Sequence, residues 1–402
     1  MNTPLTSTLQ ASAPGLTRAM VLLFAFCCGA IVANLYYAQP IVELIAPDLG
    51  LASGSASLIV SLTQIGYALG LLFLVPLSDL IENRRLMIAT AVVAAGSLLA
   101  AATLQHAQGF LLVSLLIGFS SVAVQMLIPL AAHLAPEHSR GQVVGNIMSG
   151  LLLGILLARP LSSLIADHFG WRAVFIYAAL LMLAIVTVLA LTLPRRVPDH
   201  KATYGQLLTS LMTLLRRHPV LRQRALYQGL LFAAFSLFWT AAPVELARHH
   251  GLSQSQIAIF ALVGAIGAIA APMAGRLADA GHTRRASWMA MVLAPVAFVL
   301  GLTEPGYSVV GLALTGVLLD FVVQMNMVLG QRAIYALDPA SRGRLNALYM
   351  TSIFVGGAIG SALASSVYEQ AGWSGVVMLG AGLPALALLA FVLMSVTRGR
   401  NA

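Results

Sequence analysis

"SRGQVVGNIMSGLLLG" (139–154) returns far along the same chain as "SRGRLNALYMTSIFVG" (341–356). Each copy opens on a short polar turn and runs into an apolar stretch. A stretch that occurs twice raises the question of whether the whole chain is duplicated. Three further matches say that it is. "PLSDLIENRR" (76–85) returns as "GRLADAGHTRR" (275–285), with Asp79, Arg84 and Arg85 matching Asp279, Arg284 and Arg285 at one constant offset. Val-Gln-Met stands at 124–126 and again at 323–325, and Trp171 and Trp373 each follow a glycine.

The repeated unit is built for lipid. Charged residues are 9% of the 402-residue chain and apolar ones 59%, whereas a soluble domain carries about 25% charged residues. Twelve apolar segments can be marked, at 18–45, 54–78, 86–105, 108–133, 141–166, 172–193, 225–246, 255–278, 286–303, 306–335, 344–367 and 374–397. Each is long enough to cross about 30 Å of hydrocarbon as a helix. None has the ten-residue alternation of a membrane barrel strand. The expected fold is therefore an all-α integral membrane protein of twelve transmembrane helices in two pseudo-symmetric six-helix bundles, 18–193 and 225–397. A linker at 194–224 joins the bundles, and tails at 1–17 and 398–402 flank them.

Charge placement gives the topology. The net charge of +9 is not a nucleic-acid footprint, because the basic residues lie in short loops between apolar runs. Arg18, Arg84, Arg85, Arg140, Arg195, Arg196, Arg284, Arg285, Arg342 and Arg400 fall in one set of loops and ends; only Arg172 and Arg248 fall in the other. By the positive-inside rule the first set is cytoplasmic. Both termini then face the cytoplasm of a cell inner (plasma) membrane, and the first tail is expected to be disordered. In the linker, Leu207, Leu208, Leu211, Leu214 and Leu215 recur at helical spacing. They suit an amphipathic helix that either lies on the inner leaflet or packs beneath the bundle. Cys27 and Cys28, the only cysteines, read as packing residues. His249 and His250 read as solvated loop residues.

On these residues the chain resembles the major facilitator superfamily over essentially its whole length. The loop after the second segment is similar to that family's Gly-x-x-x-Asp signature with its basic pair, although Val75 and Glu82 stand where glycines are usual. The resemblance implies a central site between the halves, lined by the first, fourth, seventh and tenth segments. It also implies a cytoplasmic gate made by Asp79, Arg84, Arg85, Asp279, Arg284 and Arg285, each aspartate meeting a helix start of the other half. An exposed contact of that kind is typically worth about 0.3–1 kcal/mol.

Candidate site residues follow. Asp320 interrupts "LALTGVLLDFVVQMNMVLG" (312–330), and among the thirteen acidic residues it alone lies near mid-segment. A charge at the centre of a spanning helix costs about 2.5–3.5 kcal/mol on insertion scales. Burial favours the neutral carboxyl, so Asp320 is the proton-coupling candidate; the alternative is a structural acid bonded to Gln324 and Asn326. Arg159 cannot shed its charge. It is expected to pair with Asp320, to meet an anionic group of the substrate, or to snorkel outward. Further cavity candidates are Asn34, Tyr36, Tyr37 and Gln39 of "NLYYAQP" (34–40), Gln64, Tyr67, Gln125, Trp239, Thr240, Gln324, Asn326, Asn346 and Tyr349. Tyr36 and Tyr37 read equally well as an interfacial aromatic belt. The glycines of the fifth and eleventh segments suit close helix packing.

The motif "NLYYAQP" and the short loops look like twelve-span drug or sugar:proton antiporters. Those relatives carry a span-4 arginine four places before a glycine, where this chain has Ser114 before Gly118, and a Gly-Pro pair where it has Arg159-Pro160. No Gly-x-x-x-x-Gly-Lys-Ser/Thr loop is present, so ATP is not the expected driver. The expected function is export of a small organic compound (drug, sugar or metabolite) by proton antiport through alternating access. Proton-coupled uptake and a transport-dead receptor or scaffold are the alternatives. No enzyme activity, catalytic set, metal or cofactor is expected beyond the proton gradient. The partners are a small-molecule substrate, protons and the lipid bilayer, with no nucleic acid, and a monomer is expected.

Overall fold

In hydrocarbon a lone segment must satisfy its N–H and C=O groups internally, and helix does this. The computed structural model describes residues 17–136, 139–195, 197–198, 203–264, 270–303, 306–338 and 341–400, and they are overwhelmingly helical. The first half contains α1 (Arg18–Ala33), α2 (Val42–Asp48), α3 (Leu58–Phe73), α4 (Asn83–Thr103), α5 (Ala107–Ser120), α6 (Ala123–Leu134), α7 (Arg140–Phe169) and α8 (Trp171–Thr192). After α9 (Tyr204–Arg217) the second half contains α10 (Pro219–Arg248), α11 (Gln254–Ala261), α12 (Ala270–Asp279), α13 (Thr283–Val299), α14 (Val309–Tyr335) and α15 (Arg342–Arg400).

Nine segments among the described residues are long and apolar enough to cross a membrane. One of them, within α15, is two helices joined at Gly372, whose φ of 60° and ψ of −159° leave helical space. α1 continues into α2 through a broken stretch, 34–41, where Pro40 supplies no N–H. α11 and α12 flank residues 265–269, which lie outside the described set. The arrangement is consistent with the twelve expected segments. α10 begins at Pro219, inside the stretch expected as linker. The first tail lies outside the described residues up to position 16, and α15 runs through to Arg400.

The duplication is visible in the packing. α1 lies on α7 as α10 lies on the first part of α15, α3 on α5 as α12 on α14, and α4 on α8 as α13 on the second part of α15. The closest approaches correspond as well. A Cβ on Gly154 would sit 2.2 Å from the Gly29 carbonyl oxygen, and one on Gly356 2.1 Å from that of Gly229. In both halves only glycine lets the two backbones meet.

We call the end bearing α9 the linker side and the opposite end the distal side. Direct hydrogen bonds between the halves, among the described residues, run from mid-bundle to the distal side. Ser61 Oγ donates to the Ala358 carbonyl at 2.7 Å, and the Ser57 and Ser365 hydroxyls each accept the other residue's backbone N–H. At the distal rim Arg248 bonds Glu43 across the interface (2.6 and 3.0 Å) and Glu369 at 2.7 Å. On the linker side α9 reaches both halves. Tyr204 Oη donates to the Phe73 carbonyl at 2.9 Å, and Arg344 Nη1 donates to Ser210 Oγ at 2.9 Å. Thr203 and Gln206 close a capping box at its start, and Leu207, Leu211 and Leu214 are buried. Of the two expected placements, α9 therefore packs beneath the bundle.

Candidate functional site

The site is a line of side chains that crosses the interface between the halves at mid-bundle. Gln39, in the broken stretch after α1, donates from Nε2 to Thr240 Oγ1 of α10 at 3.1 Å. Its Oε1 accepts from Arg159 Nε of α7 at 2.8 Å. The Arg159 guanidinium lies 4.6 Å from the ring centroid of Trp239, 5.1 Å from that of Tyr36 and 5.4 Å from that of Phe235. Trp239 Nε1 in turn donates to Asp320 Oδ1 of α14 at 2.7 Å.

The broken stretch explains why Gln39 can reach this line. Carbonyls freed by the break need partners, and Ser162 Oγ of α7 donates to the Tyr37 carbonyl at 2.5 Å. That bond holds the stretch beside Arg159 on the same helix. Trp239 then joins the two charges by two different parts of one ring. Its electron-rich face attracts the guanidinium, an interaction worth about 2 kcal/mol when desolvated. Its N–H edge donates to the carboxylate. No direct ion pair forms between Arg159 and Asp320, although their charges interact through space. The second Asp320 oxygen, Oδ2, lies against Gly264, where a Cβ would come within 2.6 Å. Arg159 is 4% exposed, and its Nη2 has no hydrogen-bond partner.

Three of the alternatives are corrected here. Arg159 does not snorkel outward; its stem is buried and its head stays at the interface. Asp320 is not bonded to Gln324 and Asn326. Asn326 Nδ2 instead donates to Gln228 Oε1 at 2.7 Å, and Gln228 Nε2 to the Val323 carbonyl, which ties α14 to α10. Tyr36 and Tyr37 are buried in the interface rather than placed in an aromatic belt.

The remaining candidates divide by place. Gln64 Nε2 donates to Ser236 Oγ at 2.8 Å across the interface, and Gln64 Oε1 has no partner. Gln125 Nε2 donates to Tyr67 Oη at 3.1 Å, and the Tyr67 ring packs edge-on to Phe354. Asn34 bonds Ser121 within the first half at 3.3 Å. Gln324 is half-buried on α14. Asn346 accepts from Tyr335 and Gln331, and Tyr349 Oη donates to the Met327 carbonyl, so both serve α14–α15 packing.

Of the expected gate residues, Arg84 donates to the Ala190 carbonyl and Arg85 pairs with Glu82 at 3.0 Å, both within the first half. Asp79 borders a small cleft with Asn83, Met126 and Pro129. Arg284 and Arg285 are exposed, and the Asp279 side chain lies outside the described residues.

The sequence pattern did not reveal Phe235, which walls the Arg159 site, or the distal clasp Glu43–Arg248–Glu369. Nor did it reveal a cluster behind the clasp. Glu245 is fully buried and accepts from Tyr307 and, at 2.6 Å, from Tyr368. His249 is exposed, as expected, and also places Nδ1 3.1 Å from the same carboxylate. Unlike charges in distal loops, Arg248 against Glu43, were the available signal.

The sequence profile of the Major Facilitator Superfamily matches residues 21–334 and 225–402. The chain belongs to the major facilitator superfamily. It is 42% identical over 378 residues to a putative uncharacterized transporter, YgaY, of Escherichia coli strain K12, covering 93% of this chain and 95% of that one. A probable sugar efflux transporter of Mannheimia succiniciproducens is 24% identical over 274 residues, 66% of this chain and 65% of its own. The crystal structure of the nucleoside transporter NupG shares the fold, with a TM-score of 0.72 at 16% identity over 93% of this chain and 98% of that one. As a member of this superfamily the protein is a multi-pass membrane transporter, and its substrate is a small molecule.

Proposed function

We propose that this transporter exports a small organic compound across the inner membrane in exchange for protons, with Asp320 as the proton site. The observation that carries the reading is the placement of that carboxylate. It is the acid set between α10 and α14 at mid-bundle, bonded to Trp239 and coupled through that ring to a cation of the other half. A proton arriving on Asp320 removes one charge from a line that spans the interface. The balance of forces between the halves then changes where they touch. The distal clasp and the mid-bundle bonds fasten one side in this conformation, which leaves the linker side as the way in. Release of the clasp would present the same line to the other side, which is alternating access. Export is the direction favoured by "NLYYAQP" and by the sugar efflux relative.

The test is flux in proteoliposomes under an imposed pH gradient, screened over drugs, sugars and organic acids. Asp320→Asn is expected to abolish gradient-driven flux while leaving substrate exchange measurable. Unchanged driving in that variant contradicts the proposal. Substrate movement in the same direction as the protons selects symport instead.

A further inference from the structure

We infer that the Arg159 cluster binds the carboxylate of a small organic acid, so that the transported compounds are organic anions; this rests on the reading of the chain as a transporter coupled at Asp320, not on the direction of coupling. Arg159 is a permanent charge in a nearly dry place. A charge buried this deeply ordinarily has an ionic partner, because a buried charge left without one is strongly destabilising. Yet no carboxylate of this chain pairs with Arg159 among the described residues. Asp320 is held off, bonded to the indole N–H, with its other oxygen against Gly264. Gln39 takes only Nε, and it is fixed there from behind by Thr240. Nη2, the far corner of the guanidinium, has no acceptor. Three rings, Tyr36, Phe235 and Trp239, lie around the guanidinium, and aromatic neighbours of this kind suit an apolar or planar ligand frame. A donor without an acceptor, a cation without a directly bonded anion and aromatic neighbours share one chemical complement: a carboxylate on an apolar or planar frame.

The cluster also carries its own competitor. Asp320 lies on the far edge of the Trp239 ring, and its charge offsets that of Arg159. A ligand carboxylate and an ionised Asp320 therefore oppose each other, so a proton on Asp320 favours the ligand. For an anionic substrate, proton and substrate then bind together, which is the symport outcome of the flux test. Trp239 is a positioning residue, since its N–H keeps Asp320 away from the guanidinium.

The experiment is equilibrium binding to the full-length protein in lipid nanodiscs, read by calorimetry. Phenylacetate, benzoate and glucuronate are each compared with their own primary amide. At least one acid is expected to bind about tenfold or more tightly than its amide, the worth of a hydrogen bond to a charged group. Arg159→Gln is expected to remove that preference while amide binding persists. Asp320→Asn tightens acid binding and leaves the amide unmoved. Trp239→Phe keeps the ring but frees Asp320, so it weakens acid binding alone, and it decides the matter should Arg159→Gln fail to fold. Equal binding of every acid and its amide overturns the inference, as does a preference that survives Arg159→Gln. The two readings fail separately. Acid binding through Arg159 without pH-driven flux would leave the anion site and remove proton coupling. Proton-driven flux of a neutral compound, with no acid preference, would do the reverse.

Discussion

At the scale of the residue, two charges of opposite sign, Asp320 and Arg159, meet the edge and the face of one indole ring between the halves. Asp320 and Arg159 stand out of apolar runs, so their cost in lipid marks them in the sequence alone. That an indole would lie between them was not legible, because contacts between α7, α10 and α14 depend on how the halves meet. Glu43 and Arg248 looked like topology charges for the same reason, and the structure makes them a clasp. A pH prediction belongs at this scale. Asp48, at the end of α2 and outside the candidate spans, accepts from Trp171 Nε1 at 2.8 Å and from Arg172 at 3.0 Å. These two hydrogen bonds, the tryptophan's first, hold its carboxyl below the usual carboxylate range. The folded protein thus binds that proton less tightly than the unfolded chain. The stabilising contribution is present in full above the ordinary range and is lost as pH falls through the lowered value. Acid titration followed by tryptophan fluorescence should show a transition that Asp48→Asn removes; an identical transition in that variant would assign it elsewhere.

Elements were the most readable level. Twelve apolar segments, the linker helix and the duplicated stretches all come from period and composition, which lipid enforces strictly. The break after α1 was not legible, since a short interruption does not change the hydropathy of its surroundings, whereas the bend at Gly372 falls in the gap read between the segments 344–367 and 374–397. The repeat acquired a physical meaning in the Gly29–Gly154 and Gly229–Gly356 approaches. Gly154→Leu is expected to push α1 from α7 and destabilise the first half by about 1–3 kcal/mol, the usual cost of overpacking. Gly145→Leu, on the same helix but with open space before it, should change little. Thermal unfolding in detergent compares them, and equal losses would mean that the close approach is unimportant. The charged residues of the duplicated loops were expected to form a gate; Arg84 and Arg85 bond within the first half in this conformation.

The whole molecule is two like bundles fastened distally and strapped by α9 on the linker side. Arg248→Ala removes the clasp from both Glu43 and Glu369, and should raise labelling of a cysteine introduced at Thr240 by a membrane-impermeant reagent added from the distal side. Unchanged labelling would show that the mid-bundle bonds alone hold that side shut. In the proposed cycle the halves rock about a line whose charge is set by Asp320. Cys27 and Cys28 are buried, so spin labels can be confined to introduced cysteines at Ala52 and Gln370 on the distal side, and at Gln142 and Ala280 on the linker side, all exposed. The decisive quantity is the pair of distances across each side as pH is lowered. They should change in opposite directions, and Asp320→Asn should hold both at their low-pH values. Distances that stay fixed, change together, or still follow pH in that variant would contradict the rocking cycle.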